Sequence, residues 1–104
     1  MKAEFDTVED AVKAIADGEM IVVADDDDRE NEGDLIMAAS KATPEAVAFM
    51  IRHTSGILCA PLLEEQASAL HLDPMVAKND APMSTAFTVS IDYKKGLTTG
   101  ISAE

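Results

Sequence analysis

Seven carboxylates and one guanidinium fall within ten consecutive residues, Asp25-Asp26-Asp27-Asp28-Arg29-Glu30-Asn31-Glu32-Gly33-Asp34. Like charges about 4 Å apart repel by roughly 1 kcal/mol even in bulk water, so a stretch this dense resists compaction unless a cation gathers it. Donors that are all oxygen suit a hard divalent ion such as Mg²⁺ or Mn²⁺. If the backbone here is extended, Glu30, Glu32 and Asp34 point to one side, and they can share a metal or divide the roles of ligand and base. The plain alternative is a solvated acidic loop. Two features favour a site. The run leaves the end of an apolar segment, Met20-Ile21-Val22-Val23-Ala24, where α/β folds place ligands. It also carries Arg29, Asn31 and Gly33, which a merely repulsive run does not need.

Other chemistries fit less well. An EF-hand loop with glycine at its sixth position would start at Asp28, and its twelfth position, which needs a bidentate glutamate, is then Ala39. Zinc lacks a ligand cluster, because Cys59, His53 and His71 are separated in the chain. Cys59 sits in an apolar run, where a buried inert thiol is the common outcome. His53 falls near the end of a helical pattern and His71 after one, so surface or structural roles suit both. Thr98-Thr99-Gly100 offers hydroxyls and backbone N–H groups to a phosphate, a weak signal by itself.

The elements that must position the acidic stretch read as alternating helices and short strands. Asp6 with Glu9 has the spacing of a capping box, and Val8, Ala11, Val12 and Ile15 follow at helical period until Gly18 stops the helix near Asp17. Residues 20–24, apolar and β-branched, predict an interior strand covered on both faces. Residues 35–39 predict a second strand, which makes the acidic stretch an exposed connection anchored at both ends. Its middle is expected to be mobile, since nothing local offsets the repulsion. Thr43-Pro44-Glu45 opens a helix that runs to about His53. Residues 57–60 predict another interior strand, residues 63–70 a helix, residues 78–84 a loop, and the alternation of Phe87, Val89 and Ile91 a half-buried strand. The pattern as a whole predicts an α+β domain with a mixed sheet.

Composition narrows the partners. The chain has 104 residues, 47% of them hydrophobic, and a net charge of −12, half of it from the acidic stretch. That balance is globular. It excludes a nucleic-acid partner, which needs a basic face. No apolar run approaches the ~18 residues of a membrane span, and the N-terminus lacks the apolar core of a signal peptide. One cysteine rules out an intrachain disulfide and points to a reducing compartment, the cytoplasm. A non-catalytic acidic module that binds a divalent cation or a partner remains the alternative to an enzyme.

The residues also carry a resemblance. Arg29-Glu30-Asn31-Glu32-Gly33-Asp34 within Asp25 to Leu35 resembles the signature of 3,4-dihydroxy-2-butanone 4-phosphate synthases, lyases of riboflavin biosynthesis. Ala42-Thr43-Pro44-Glu45 with Phe49-Met50, then Thr54-Ser55-Gly56-Ile57-Leu58-Cys59, then Thr98-Thr99-Gly100-Ile101-Ser102-Ala103 match the family in order. The resemblance implies that ribulose 5-phosphate is enolised, dehydrated, rearranged and split to release formate, with Mg²⁺ or Mn²⁺ stabilising the enediolate. It implies that Glu30 ligates the metal and, with Arg29, contacts the sugar phosphate. Asp34 binds substrate hydroxyls, Glu32 shuttles a proton, Cys59 and Thr99 line the pocket, and the loop starting at Asp25 closes over the substrate. It further implies a homodimer with the site near its interface. The family's second metal ligand, a histidine, lies in a later segment that these residues do not contain. Residues 1–104 are therefore expected to be the N-terminal part of a single synthase domain, holding half of an active site.

Overall fold

The computed structural model describes residues 4–99 and 102–104. They form two compact units, one comprising Met1–Leu58 with Ala103–Glu104 and the other Cys59–Ser102, each described by itself.

The first unit begins with helix α1, Val8–Ala16. Its N-cap is Thr7 rather than Asp6. The Thr7 hydroxyl accepts from the Asp10 N–H at 3.1 Å and donates to the Asp10 carboxylate at 2.8 Å. The Asp6–Glu9 pair has the same spacing one residue earlier, so spacing alone does not choose between the two frames. At the other end Gly18 takes φ 83°. Its N–H reaches the Ile15 carbonyl at 3.1 Å, and the Glu19 N–H reaches the Ala14 carbonyl at 2.9 Å, closing a Schellman cap that favours glycine at this left-handed position.

The chain then enters β1, Ile21–Ala24, which pairs antiparallel with β2, Gly33–Ile36. The register sets Ile21 against Ile36, Val22 against Leu35, Val23 against Asp34 and Ala24 against Gly33. The acidic stretch is the exposed hairpin connection, as expected from sequence. The second strand starts at Gly33 and ends at Ile36, earlier than the 35–39 reading, and Ala39–Lys41 turns into a short 3₁₀ helix. Helix α2, Pro44–His53, has the predicted bounds. Thr43 Oγ1 accepts from the Ala46 N–H at 3.1 Å, and Pro44 at the first position has no N–H to leave unpaired. The helix ends where the Thr54 hydroxyl donates to the Met50 carbonyl at 2.7 Å and accepts from the Gly56 N–H at 3.1 Å.

In the second unit, α3 spans Glu64–Ala69. Gln66 reaches back to accept from the Leu63 N–H at 2.9 Å. The helix closes with a second Schellman cap, in which His71 occupies the left-handed position at φ 56°. A single antiparallel bridge joins Pro74 to Thr88, flanked by Met75 N–H to the Phe87 carbonyl at 2.9 Å and Val89 N–H to the Asp73 carbonyl at 2.8 Å. Asn79 ties the intervening loop: its amide donates to the Thr85 carbonyl and its carbonyl oxygen accepts from the Ala81 N–H.

The α+β class holds. The sheet differs from the expected mixed one: among the described residues it is a single antiparallel pair. Residues 57–60 are not a strand, and residues 87–91 contribute only the bridge at Thr88. An apolar run becomes a strand only when another strand satisfies its backbone, and no described residue does so for residues 57–60. Residues 20–24 were expected to be covered on both faces, yet Val22 is 70% and Val23 42% exposed. Met75 and Met83 are exposed. Among the described residues, no helix is long and apolar enough to cross a membrane.

Candidate functional site

Asp25, at the end of β1, organises the acidic loop. Its Oδ1 accepts from the Glu32 N–H at 2.8 Å, and its Oδ2 accepts from the Glu30 N–H at 2.9 Å and from Arg29 Nη1 at 2.8 Å. Three donors on one carboxylate favour its charged form. The backbone N–H groups of Glu32 and Glu30, and then the Arg29 guanidinium, hold the Asp25 carboxyl below the usual carboxylate range. The Asp25 N–H closes the loop onto the Glu32 carbonyl at 3.3 Å, and a turn bonds the Arg29 N–H to the Asp26 carbonyl at 3.0 Å. The repulsion within the stretch is therefore offset from inside, by one guanidinium and by backbone donors. This role of Asp25 was not read from the sequence, where it figured only as the start of the loop. The available signal was its place, an Asp at a strand end ahead of a turn, where such side chains hydrogen-bond nearby backbone.

Arg29 lies between two acids, with Asp25 at 2.8 Å and Glu30 Oε1 at 3.3 Å. The hydrogen bond that Arg29 donates to Asp25, then the charges of Glu30, Asp25 and Asp34, hold the guanidinium pKa above its ordinary value. Its side chain remains 57% exposed with Nη1 on Asp25 and Nη2 on Glu30. Arg29, Glu30 and Asp34 are thus brought into one electrostatic neighbourhood at the mouth of the hairpin.

The extended geometry expected for Glu30, Glu32 and Asp34 does not hold. The backbone turns through residues 27–30 and Asn31 sits at φ 52°, so the alternation of sides is interrupted between Glu30 and Glu32. Asp34 is in β2, opposite Val23. Asn31 is one of the residue types that enter the left-handed region at modest cost, which accounts for an amide among acids at this point.

The donor chemistry can be tested against a divalent ion. Both Asp25 oxygens are committed to the loop. The Glu30 carboxylate is bound only through Arg29, and its side chain is 34% exposed. Mg²⁺ commonly takes one or two carboxylates and completes its shell with water and phosphate oxygens. Glu30 fits as one such ligand. Among the described residues no group of three or more His, Cys, Asp or Glu is placed to form a closed cage.

Cys59 and Thr99 belong to the second unit, and both are exposed. The buried thiol expected from the apolar run is not found. Residues 57–60 do not enter a sheet, and so no sheet covers them. Gly100 and Ile101, part of the Thr-Thr-Gly-Ile-Ser-Ala match, lie outside the described residues. His53 packs its ring against Phe49 at 4.4 Å between centroids, one helical turn back, in keeping with a surface role.

Comparison with known proteins agrees with this picture. The family profile described as 3,4-dihydroxy-2-butanone 4-phosphate synthase matches residues 9–104. The riboflavin biosynthesis protein RibBA of Nocardia farcinica is 62% identical over 99 residues, covering 95% of this chain and 24% of that protein. The 3,4-dihydroxy-2-butanone 4-phosphate synthase of Agrobacterium fabrum is 51% identical over 96 residues, 92% of this chain and 45% of its own. A crystal structure of a 3,4-dihydroxy-2-butanone 4-phosphate synthase in complex with two magnesium ions superposes with a TM-score of 0.88 at 52% identity, over 95% of this chain and 46% of the other. The chain thus spans about a quarter of the RibBA relative and just under half of the shorter synthases. With the profile matched over nearly its whole length and the Arg29–Asp34 signature set in a hairpin, this chain belongs to the 3,4-dihydroxy-2-butanone 4-phosphate synthase family.

Proposed function

We propose that residues 1–104 are the N-terminal part of a single synthase domain that converts ribulose 5-phosphate to 3,4-dihydroxy-2-butanone 4-phosphate and formate, and that the β1–β2 hairpin is its metal- and substrate-binding half. The observation that carries the reading is the Asp25 staple, which presents Arg29 and Glu30 side by side in the loop that joins the two strands. Arg29 is suited to a phosphate or to substrate oxygens, because a planar guanidinium can hold one partner on each edge. Glu30 would hold a divalent ion, Mg²⁺ or Mn²⁺, which when bound polarises the substrate carbonyl and stabilises enediolate charge. Glu30 also contacts the substrate beside Arg29. Asp34 accepts from substrate hydroxyls, and Glu32 takes and returns a proton during enolisation. The family resemblance favours Cys59 and Thr99 as pocket-lining residues. A homodimer is the assembly the family resemblance favours. Cytoplasmic location is supported by a lone unpaired thiol.

The test uses a full-length synthase in which these 104 residues replace the matching segment of the Agrobacterium fabrum relative. Isothermal titration should show ribulose 5-phosphate binding only when Mg²⁺ is present. Metal binding with no sugar-phosphate signal would favour the non-catalytic cation-binding module instead.

A further inference from the structure

Arg29 is held by two acids of different standing. Its Nη1 meets Asp25 Oδ2 at 2.8 Å, and its Nη2 meets Glu30 Oε1 at 3.3 Å. Asp25 is itself anchored, since its oxygens also accept from the Glu30 and Glu32 N–H groups at 2.9 and 2.8 Å. The Glu30 carboxylate has no such anchor. Its contact with Arg29 is the longer of the two, and its side chain is 34% exposed. Solvent-exposed ion pairs of this kind are screened and individually weak. If the guanidinium lets go of one acid, that acid is Glu30.

Glu30 is also the carboxylate whose chemistry fits a divalent ion, and there the two uses conflict. A hard cation needs the charge of its carboxylate ligand. In this loop Glu30 already gives that charge to the neighbouring guanidinium, and a second cation on the same carboxylate would meet like-charge repulsion. The rest of the loop has no need to move. Its shape depends on the Asp25 carboxylate and on backbone N–H groups, and the Glu30 carboxylate takes no part in those bonds.

We propose that Arg29 is an internal counter-cation for Glu30: it occupies the carboxylate until a divalent ion takes its place, while Asp25 keeps hold of Nη1. The proposal rests on the reading of Glu30 as a metal ligand. It adds a coupling within the loop. Every ion that Glu30 accepts breaks one ion pair, and every pair broken leaves the Nη2 donors of an anchored arginine free for an anionic ligand.

The test uses the full-length chimera with the Agrobacterium fabrum relative, titrated with Mg²⁺ alone and no sugar phosphate. Isothermal titration reads the metal affinity. Nitrogen NMR, assigned from the Arg29→Gln spectrum, reads rotation of the Arg29 guanidinium about Nε–Cζ, which is slow while two acids hold it. Because an exposed ion pair competes only weakly, Arg29→Gln should tighten Mg²⁺ binding by about threefold. Arg52→Gln removes the same charge from α2 and should leave the affinity unchanged. In the unsubstituted chimera, saturating Mg²⁺ should speed the guanidinium rotation by a similar factor, about threefold, with its midpoint at the Mg²⁺ Kd. Mg²⁺ binding with the rotation unchanged, with no tightening in Arg29→Gln, or with equal tightening in Arg52→Gln would overturn the inference and leave the proposed function standing. No Mg²⁺ binding by the unsubstituted chimera would overturn both.

Discussion

Asp25 does for the loop what a bound cation was expected to do. By accepting from Arg29 and from two backbone N–H groups it turns a repulsive stretch into a shaped one, and it keeps Arg29 beside Glu30. Asp25→Ala should free the Glu30 and Glu32 amides and speed their exchange by roughly three- to tenfold. Sugar-phosphate affinity should fall with it. Unchanged exchange would mean that the loop is held elsewhere. The same carboxylate sets a pH dependence. Its folded pKa is depressed, so its contribution is complete above the ordinary Asp value of about 3.9 and is lost as pH falls through the lower folded value. The amide shifts of Glu30 and Glu32 should therefore titrate together, with a midpoint below about 3.9. A midpoint above that value would contradict the staple.

The helix ends carry their own tests. His71 holds the left-handed position of the α3 cap, which costs a side-chain-bearing residue about 1 kcal/mol, and His71→Gly should raise the stability of the full-length chimera by about that amount. A lower Tm for His71→Gly would show that the imidazole has contacts worth more than the strain. Thr43→Ala should cost about 1 kcal/mol by removing the α2 cap. These local features were the legible ones. Thr43-Pro44 fixed the start of α2 and Gly18 the end of α1, because caps and period are written within a few residues. What failed was non-local. Nothing in Ile57-Leu58-Cys59-Ala60 says whether another strand stands beside it, and nothing in Val22-Val23 says how many of its neighbours lie within these 104 residues. The hairpin was half legible. Its start after the first apolar run and its exposure followed from the sequence, whereas the second strand's start at Gly33, the Asp25 bonds and the turn at Asn31 depend on loop closure. That closure set Glu30 and Glu32 out of the extended alternation on which their shared side had been argued.

Over the chain as a whole, the family profile matches residues 9–104, and the acidic hairpin within that span carries the site proposed above. One exposed carboxylate beside one guanidinium can start a metal and phosphate site but does not enclose it. Glu30 is accordingly the residue on which the account turns. Glu30→Gln keeps the size of the side chain and most of its hydrogen bonding while removing the charge that a hard cation needs. Stability should be unchanged or slightly higher, since one like charge leaves a crowded loop, and Glu64→Gln on α3 should do little. The decisive measurement is formate release from ribulose 5-phosphate by the full-length chimera with and without Glu30→Gln. The account predicts a loss of at least about a hundredfold, a barrier rise of about 2.7 kcal/mol. Formate release at the unsubstituted rate would contradict it.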